Sequence, residues 1–536
     1  MLTETADYDT LYRDFRWDIP ARFNMAGACC DRHADGNNRT ALIYVDEDGG
    51  AQRTSFDELR AMSCRFANVL TADGLVRGDR VAVFLSQSLE LPIAHLAAFR
   101  AGLVSVPLFT LFGEDALEFR LANSGARAVV TDETGWEKLA KIRDRLPYLQ
   151  DIYVTSGAIH AGAKSFWAAI EDAPEDFATV DTSADDPAII IYTSGTTGNP
   201  KGALHAHRVL LGHIPNVEMV HDFFPKPDDV MWTPADWAWI GGLFDALFAA
   251  WYHGVPVVGH RAKKFDALAA MQLMADHGVR NVFLPPTAIK LMRQAGVKSA
   301  GVKLRSMLTG GESLGAELLD WVRATFGIEA HEVYGQTECN LVVGSNAKLF
   351  PIRPGSMGKA TPGFDVRIVN EQGEELPRGQ RGIIGVRQPN PVTMLEYWKN
   401  PDATAKKVAG EFLLTGDLGV QDADGYFWYV SREDDVITSA GYRIGPSEIE
   451  HTLLKHPAVA LSAVVGIPDP IRTEAIKAWI VLRPGFAASD ALAREIQEFV
   501  KVQLAAHEYP RFVQFADSLP MTATGKVLRR ELRALG

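Results

Sequence analysis

Between about residues 80 and 350 the chain alternates short runs of β-branched and other apolar residues with longer amphipathic stretches. Arg80-Val-Ala-Val-Phe-Leu predicts a strand, Leu91 to Ala101 a helix and Leu103-Val-Ser-Val-Pro the following strand. Ala128-Val-Val, Ala188-Ile189-Ile190-Ile191, Val255-Pro-Val-Val, Val282-Phe-Leu and Met307-Leu predict further strands. Repeated strand, helix, strand units require sheet faces covered by helices, so the expected fold class is α/β, with parallel or mixed sheets in a large N-terminal domain.

After about residue 360 the pattern shifts to short strands and turns, marked by Gln372-Gly373, Asp424-Gly425 and several prolines, which predicts a β-rich subdomain. Beyond Arg432-Glu433-Asp434-Asp435 a new cycle begins. It has a helix near Pro446 to Lys455, strands near Val459 to Gly466 and Ala475 to Leu482, and a helix near Leu492 to Ala506. The charged run between them suits a hinge at Asp434, giving a large domain over 1–433 and a small, mobile α+β domain over 434–536.

A chain of 536 residues is too long for one ordinary core, in keeping with several domains. No apolar run reaches membrane-spanning length, and the start, Met-Leu-Thr-Glu-Thr-Ala-Asp, lacks the basic and then apolar pattern of an export signal, so a cytoplasmic protein is expected. The four cysteines, Cys29, Cys30, Cys64 and Cys339, form neither a C-x-x-C pair nor a zinc-ligand spacing and are read as thiols. The formal net charge of −13 argues against nucleic acid or anionic membrane as partners. It also means that a polyanionic substrate needs cations gathered locally, for which Lys201, Arg432, Arg443 and Lys526 are candidates.

Directly after the apolar run Ala188 to Ile191 comes Tyr192-Thr-Ser-Gly-Thr-Thr-Gly-Asn-Pro-Lys-Gly. Hydroxyls, accessible amides and a lysine leaving the end of a buried strand form a cradle for a polyphosphate. The order Gly195, Gly198, Lys201 is Gly-x-x-Gly-x-x-Lys, which is not the Walker spacing of a P-loop. A flexible surface turn would explain the glycines but not three threonines, a serine and a lysine in one stretch.

Five further segments follow in order: Gly310-Gly311-Glu312-Ser313, Tyr334-Gly335-Gln336-Thr337-Glu338, Thr415-Gly416-Asp417, Arg432 with Ser439-Ala440-Gly441-Tyr442-Arg443, and Thr524-Gly525-Lys526. With the phosphate loop they resemble the adenylate-forming superfamily, which includes acyl-CoA synthetases, adenylation domains of peptide synthetases and luciferases. The resemblance spans residues 188 to 530. Each motif alone is weak; the ordered set of six is specific.

The resemblance implies that a carboxylic acid is joined to the α-phosphate of ATP with release of pyrophosphate, and that a thiol then displaces AMP. It implies ATP and coenzyme A as co-substrates and Mg2+ as cofactor. It assigns Thr193, Ser194, Gly195, Thr196, Thr197, Gly198 and Lys201 to the β- and γ-phosphates, and Gly311, Glu312 and Ser313 to the adenine. Glu332 and Tyr334 would contact the base, with Gln336 beside them, and Thr337 the α-phosphate. Glu338 would ligate the metal, and Asp417, assisted by Arg432, would accept both ribose hydroxyls.

Lys526 would bridge the carboxylate and α-phosphate oxygens, and its flanking pattern resembles one that protein acetyltransferases recognise; acetylation would remove its charge. After rotation about Asp434, Gly441 would border the pantetheine tunnel, Tyr442 would lie beside it and Arg443 would approach CoA. Ser431 stands where a glycine commonly precedes the arginine, a departure that removes no functional group.

For the acyl pocket, the resemblance points to Trp239, Ile240, Gly241, Gly310 and Gly335. Gly335 stands where acetyl-CoA synthetases carry a tryptophan that closes the pocket, so Gly335, Gly241, Gly242 and Gly310 predict room for several carbons, and acetate is expected to be a poor substrate. Trp237 and Trp239 would make the lining apolar, while Phe244 and Phe248, at helical spacing, read as core. No lysine or arginine occurs from Pro234 to Ala250 to pair with a second carboxylate. His205 and His207 are either near the carboxylate or ordinary core histidines. The expected substrate is a medium-chain, branched or aromatic monoacid, activated by an AMP-forming acyl-CoA synthetase. The alternatives are a ligase that loads a carrier-protein thiol, a luciferase-like monooxygenase and a non-catalytic nucleotide sensor.

Overall fold

The computed structural model describes all residues except 1, 158–159, 194–199, 263, 300, 312–313, 433–434, 440–441, 470–472, 504–508, 523–525 and 536. The chain forms two compact units. The first holds the described residues up to Asp365 together with Arg387–Lys407; the second holds Val366–Val386 and the described residues from Val408 onward. The β-rich residues of the second unit thus cluster with the C-terminal module, a different cut from the expected pivot at Asp434. That residue lies outside the described set.

The first unit contains two sheets. One runs in the order Ser356–Ala360, Asn340–Gly344, Ala330–Gln336, Ser306–Gly310, Asn281–Phe283, Met231–Trp232, Val257–His260, Thr40–Val45, Ala51–Ser55. Its middle strands are parallel and both ends finish in antiparallel pairs. The other runs Glu396–Tyr397, Lys201–Ala206, Pro187–Thr193, Val104–Pro107, Arg80–Phe84, Ala128–Thr131, Asp151–Val154, Lys164–Ser165. Here the first three strands are antiparallel and the rest parallel.

Each predicted strand of the region appears within two residues of its expected start, because continuous apolar runs suit strands buried on both faces. Helices cover the sheets and build separate cores. Val282, Met307, Ile289 and Leu319 meet in one, and Val106, Val129, Leu121 and Ile190 in the other. The helix Glu90–Arg100 is buried at every residue after its first, and Val209–Val220 throughout, so neither shows the one-sided polarity of a surface helix.

In the second unit Val366–Val369, Arg381–Arg387, Phe412–Gln421 and Phe427–Arg432 form an antiparallel sheet around Val369, Ile383, Phe412 and Leu418. A five-stranded sheet follows, dominated by the long hairpin Val459–Asp469 and Thr473–Leu482. The helices Pro446–Leu453 and Asp490–Gln503 pack on it through Ile449, Leu453, Ile496 and Val500.

Candidate active site

The segment expected to hold phosphates is flanked by a strand pair. Pro187–Thr193 and Lys201–Ala206 run antiparallel with Thr193 opposite Lys201, so both feet of the loop are fixed to one another. Gly202 is required there, since a Cβ would stand 2.7 Å from Ile190 Cγ2 and 3.3 Å from the Tyr192 ring. Ser194, Gly195, Thr196, Thr197 and Gly198 lie outside the described residues.

Lys201 places its ammonium 5.3 Å from the centre of the Tyr397 ring. Tyr397 comes from the short strand Glu396–Tyr397, which pairs with the lysine's own strand at Ala203. Its hydroxyl donates to Glu338 Oε1 at 2.5 Å. The sequence reading did not single out Tyr397; the only local signal was an aromatic pair, Tyr397-Trp398, shortly before Asn400-Pro401.

Glu338 belongs to the turn between the antiparallel strands Ala330–Gln336 and Asn340–Gly344. The backbone of Met394 donates to its carbonyl at 2.9 Å. The carboxylate is largely buried at 8% exposure, and a hard cation with oxygen ligands fits it. Among the described residues no group of three or more His, Cys, Asp or Glu side chains could hold a metal ion. Mg2+ at Glu338 would therefore need water and substrate oxygens to complete its shell. Half-buried Thr337 lies in the same turn, and Gln336 accepts from Lys407 Nζ at 3.3 Å.

On the parent strand, Glu332 accepts from the Leu314 amide through Oε1 at 2.9 Å, while buried Oε2 has no partner among the described residues. Burial pushes its carboxyl up to about 7, opposed by the Leu314 hydrogen bond. A buried acceptor with no protein donor is what a nucleobase amino group can satisfy. Tyr334 is buried two residues on. Gly311 has φ +92°, a left-handed conformation that suits glycine; Glu312 and Ser313 lie outside the described residues.

The glycines expected to enlarge the acyl pocket have other causes. At Gly335 a Cβ would sit 1.4 Å from the Asn340 carbonyl oxygen, and at Gly310 2.6 Å from Val333 Cγ2. Both are glycine because another chain segment passes there, so a missing indole at Gly335 does not by itself open space. At Gly241 a Cβ would meet the Phe283 ring at 2.9 Å and the Trp239 ring at 3.1 Å. Gly241 thus lets Trp239, which is partly exposed, lie against Phe283 with ring centres 5.5 Å apart.

Ile240 precedes a widened, π-type helical segment, Gly241–Phe248, a distortion often found at functional sites. Phe244 and Phe248 are fully buried, as their spacing predicts, and Trp237 is fully buried too. Sequence reasoning passed over Asp236 and Asp245. Burial pushes the Asp236 carboxyl up to about 6. Asp245 also rises through burial, against a hydrogen bond with His213 Nδ1 at 2.7 Å. His205 and His207 are both buried core imidazoles; burial lowers them to about 3 and about 4, so they are neutral at physiological pH.

In the second unit Asp417 and Arg432 are cross-strand partners. Asp417 is 6% exposed and its amide donates to Thr415 Oγ1 at 3.1 Å. Tyr442 and Arg443 lie on the strand Tyr442–Ile444, and Gly441 lies outside the described residues. Lys526 is exposed; Thr522 N donates to Lys526 O at 2.7 Å and Lys526 N to Thr522 Oγ1 at 3.0 Å. Just beyond it, Arg529 pairs with Glu450 at 2.7 Å and Arg533 with Asp435 at 2.8 Å. These pairs tie the segment after the lysine to the helix Pro446–Leu453 and to Asp435, the residue that follows the expected hinge.

Among the described residues no helix is long and apolar enough to cross a membrane. The family described as AMP-binding enzyme matches residues 30–398, and its C-terminal domain matches residues 448–526. The chain is 37% identical to acyl-coenzyme A synthetase ACSM3, mitochondrial, of Mus musculus, over 98% of this chain and 93% of that protein. It is 36% identical to an acetyl-coenzyme A synthetase of Bacillus subtilis (strain 168), over 98% and 95%. Among solved structures, an anthranilate CoA ligase, AuaEII, in complex with anthranoyl-AMP superposes with a TM-score of 0.88 at 28% identity, covering 97% of this chain and 98% of that one.

Proposed function

The chain belongs to the AMP-binding enzyme family as an AMP-forming acyl-CoA synthetase, and from that premise we propose that its acid is an uncharged monoacid, medium-chain, branched or aromatic. The observation that carries the substrate reading is the partly exposed Trp239 ring, set against Phe283 by Gly241, in a segment without lysine or arginine. An apolar wall with no cation favours carbon over a second carboxylate. The similar AuaEII structure, described as an anthranilate CoA ligase, supports an aromatic acid, and the name of the Bacillus relative keeps acetate in the test.

In the proposed chemistry the acid's carboxylate attacks the α-phosphorus of ATP, the bond to the β-phosphate oxygen breaks, and pyrophosphate leaves with its electron pair. The CoA thiol, losing its proton, then attacks the acyl carbon, and AMP departs. Both steps concentrate negative charge on oxygen, so fixed cations and amides stabilise them. Lys201 and the loop it closes would neutralise the outgoing phosphates, Thr337 would donate to the α-phosphate, and Glu332 would accept from the adenine. Mg2+ at Glu338 would offset phosphate charge. Asp417 and Arg432 would serve the ribose, and Arg443 with the Gly441 backbone the CoA.

Lys526 would supply the cation of the first step. Lys526→Ala is expected to abolish adenylation yet still convert supplied acyl-adenylate to acyl-CoA, and a bulky residue at Gly441 the reverse. Equal loss of both half-reactions in both variants would refute that division of labour. Asp434 as pivot, a cytoplasmic location and acetylation of Lys526 belong to the same proposal; acetylated enzyme that still exchanges pyrophosphate into ATP would count against the last.

A panel from acetate to octanoate with benzoate and a dicarboxylic acid, scored by AMP release with and without CoA, tests the substrate. Preference for the dicarboxylic acid would overturn the reading. AMP release that ignores CoA would favour a carrier-protein thiol instead.

A further inference from the structure

Resting on that adenylation reading, we propose that Tyr397 is a positioning residue that aligns Lys201 and Glu338 through the two ends of one side chain. The ring is 2% exposed and fixed by its backbone: its residue pairs with Ala203, and its amide donates to Thr404 Oγ1 at 2.9 Å. Thr404 is held in turn by the Asn400 carbonyl at 2.9 Å. A rigid phenol in this position does two things that a charged residue could not do together.

At its face it attracts the Lys201 ammonium, 5.3 Å from the ring centre, without neutralising it. A carboxylate in that place would pair with the lysine and cancel the charge that phosphates need. At its tip the hydroxyl occupies Glu338 Oε1, satisfying a largely buried oxygen while leaving the carboxylate its charge and Oε2 for a metal ion. The backbone pairing that sets the ring's position is the same one that extends the strand of Lys201, so cation and carboxylate share one ruler.

The test uses the full-length enzyme, Mn2+ as the metal and ATP without acid. Binding of Mn2+ to the enzyme–ATP complex is read by electron paramagnetic resonance, and binding of ATP alone in EDTA by calorimetry. Tyr397→Phe keeps the ring and loses the hydroxyl, and it is expected to weaken Mn2+ binding about tenfold or more while leaving metal-free ATP binding unchanged. Tyr397→Leu loses both ends and is expected to weaken metal-free ATP binding about threefold in addition.

Mn2+ binding by Tyr397→Phe that matches the wild type overturns the proposal. So does an equal loss of metal-free ATP binding in both variants, which would mark a structural role. In [13C]tyrosine-labelled wild-type enzyme, Mn2+–ATP is expected to broaden the Tyr397 ring signal, and an unbroadened signal overturns the proposal even where a variant fails to fold. A wild type that binds no Mn2+–ATP at all would instead sink the adenylation reading beneath it.

Discussion

Thr193 and Lys201 stand opposite each other across an antiparallel strand pair, and Thr193 Oγ1 donates to the Lys201 carbonyl at 3.4 Å. The described chain on either side of the Thr- and Gly-rich segment is therefore strand, Pro187–Thr193 before it and Lys201–Ala206 after it. Lys201 is held by sheet pairing at the segment's far foot.

That pairing depends on Gly202. Gly202→Val would drive a branched side chain into Ile190 and Tyr192, and is expected to lower stability by about 2 kcal/mol or more. Lys201→Ala, which leaves the pairing intact, should weaken ATP binding with little change in thermal midpoint. A Gly202→Val protein with unchanged midpoint would contradict the packing argument.

With Glu332 at the adenine, as proposed, nucleotide binding is expected to depend on pH. Burial pushes the Glu332 carboxyl up to about 7, and Oε2, without a partner among the described residues, accepts a hydrogen bond best when ionised. Nucleotide donating to it lowers that value, so affinity rises with pH through about 7 and falls below it. Glu332→Gln is expected to bind ATP more weakly above pH 7 and to flatten the profile between pH 6 and 8. ATP affinity measured across that range checks it, and a profile that keeps its slope in Glu332→Gln contradicts it.

Acid stability follows from the buried imidazoles. Burial holds His95 and His205 at about 3 and His33 and His207 at about 4, against 6.5 as the ordinary value. Below pH 6.5 the unfolded chain binds protons that the folded one refuses, so each such histidine removes roughly 1.4 kcal/mol per pH unit until its own folded value is reached. Glu332, raised to about 7, pulls the other way across the whole window and Asp236, raised to about 6, below pH 6, but the four histidines outnumber them. The thermal midpoint should fall steadily from pH 6.5 to 4.5; a midpoint that rises over that range would contradict the account.

Two glycines separate scaffold from specificity. Gly335→Ala would put a methyl into the Asn340 carbonyl and is expected to cost several kcal/mol, on the order of 3, without altering the order of preferred acids. Gly241→Ala would displace Trp239 or Phe283 and is expected to shift preference toward shorter acids. Identical acid profiles for wild type and Gly241→Ala would remove Trp239 from the pocket.

Much of this was legible in the residues because short, β-branched apolar runs such as Ala188 to Ile191 suit strands buried on both faces, and the ordered motifs carry the family resemblance. Phe244 and Phe248 proved to be core, as helical spacing implies. What escaped was set by contacts distant in sequence. Tyr397 meets Glu338 from 59 residues away, and Gly335 is small because of a backbone crossing that composition does not reveal. The widened segment at Gly241–Phe248 also has no periodic signature, since a π turn breaks the 3.6-residue pattern by which helices are recognised.

The fate of the triphosphate is the most direct test. With Mg2+, CoA and a broad panel of organic acids, the enzyme is expected to release one AMP and one pyrophosphate per acyl-CoA formed, and without CoA to exchange labelled pyrophosphate into ATP only when an acid is present. Release of ADP and phosphate, or a triphosphate left intact with every acid offered, would contradict the assignment.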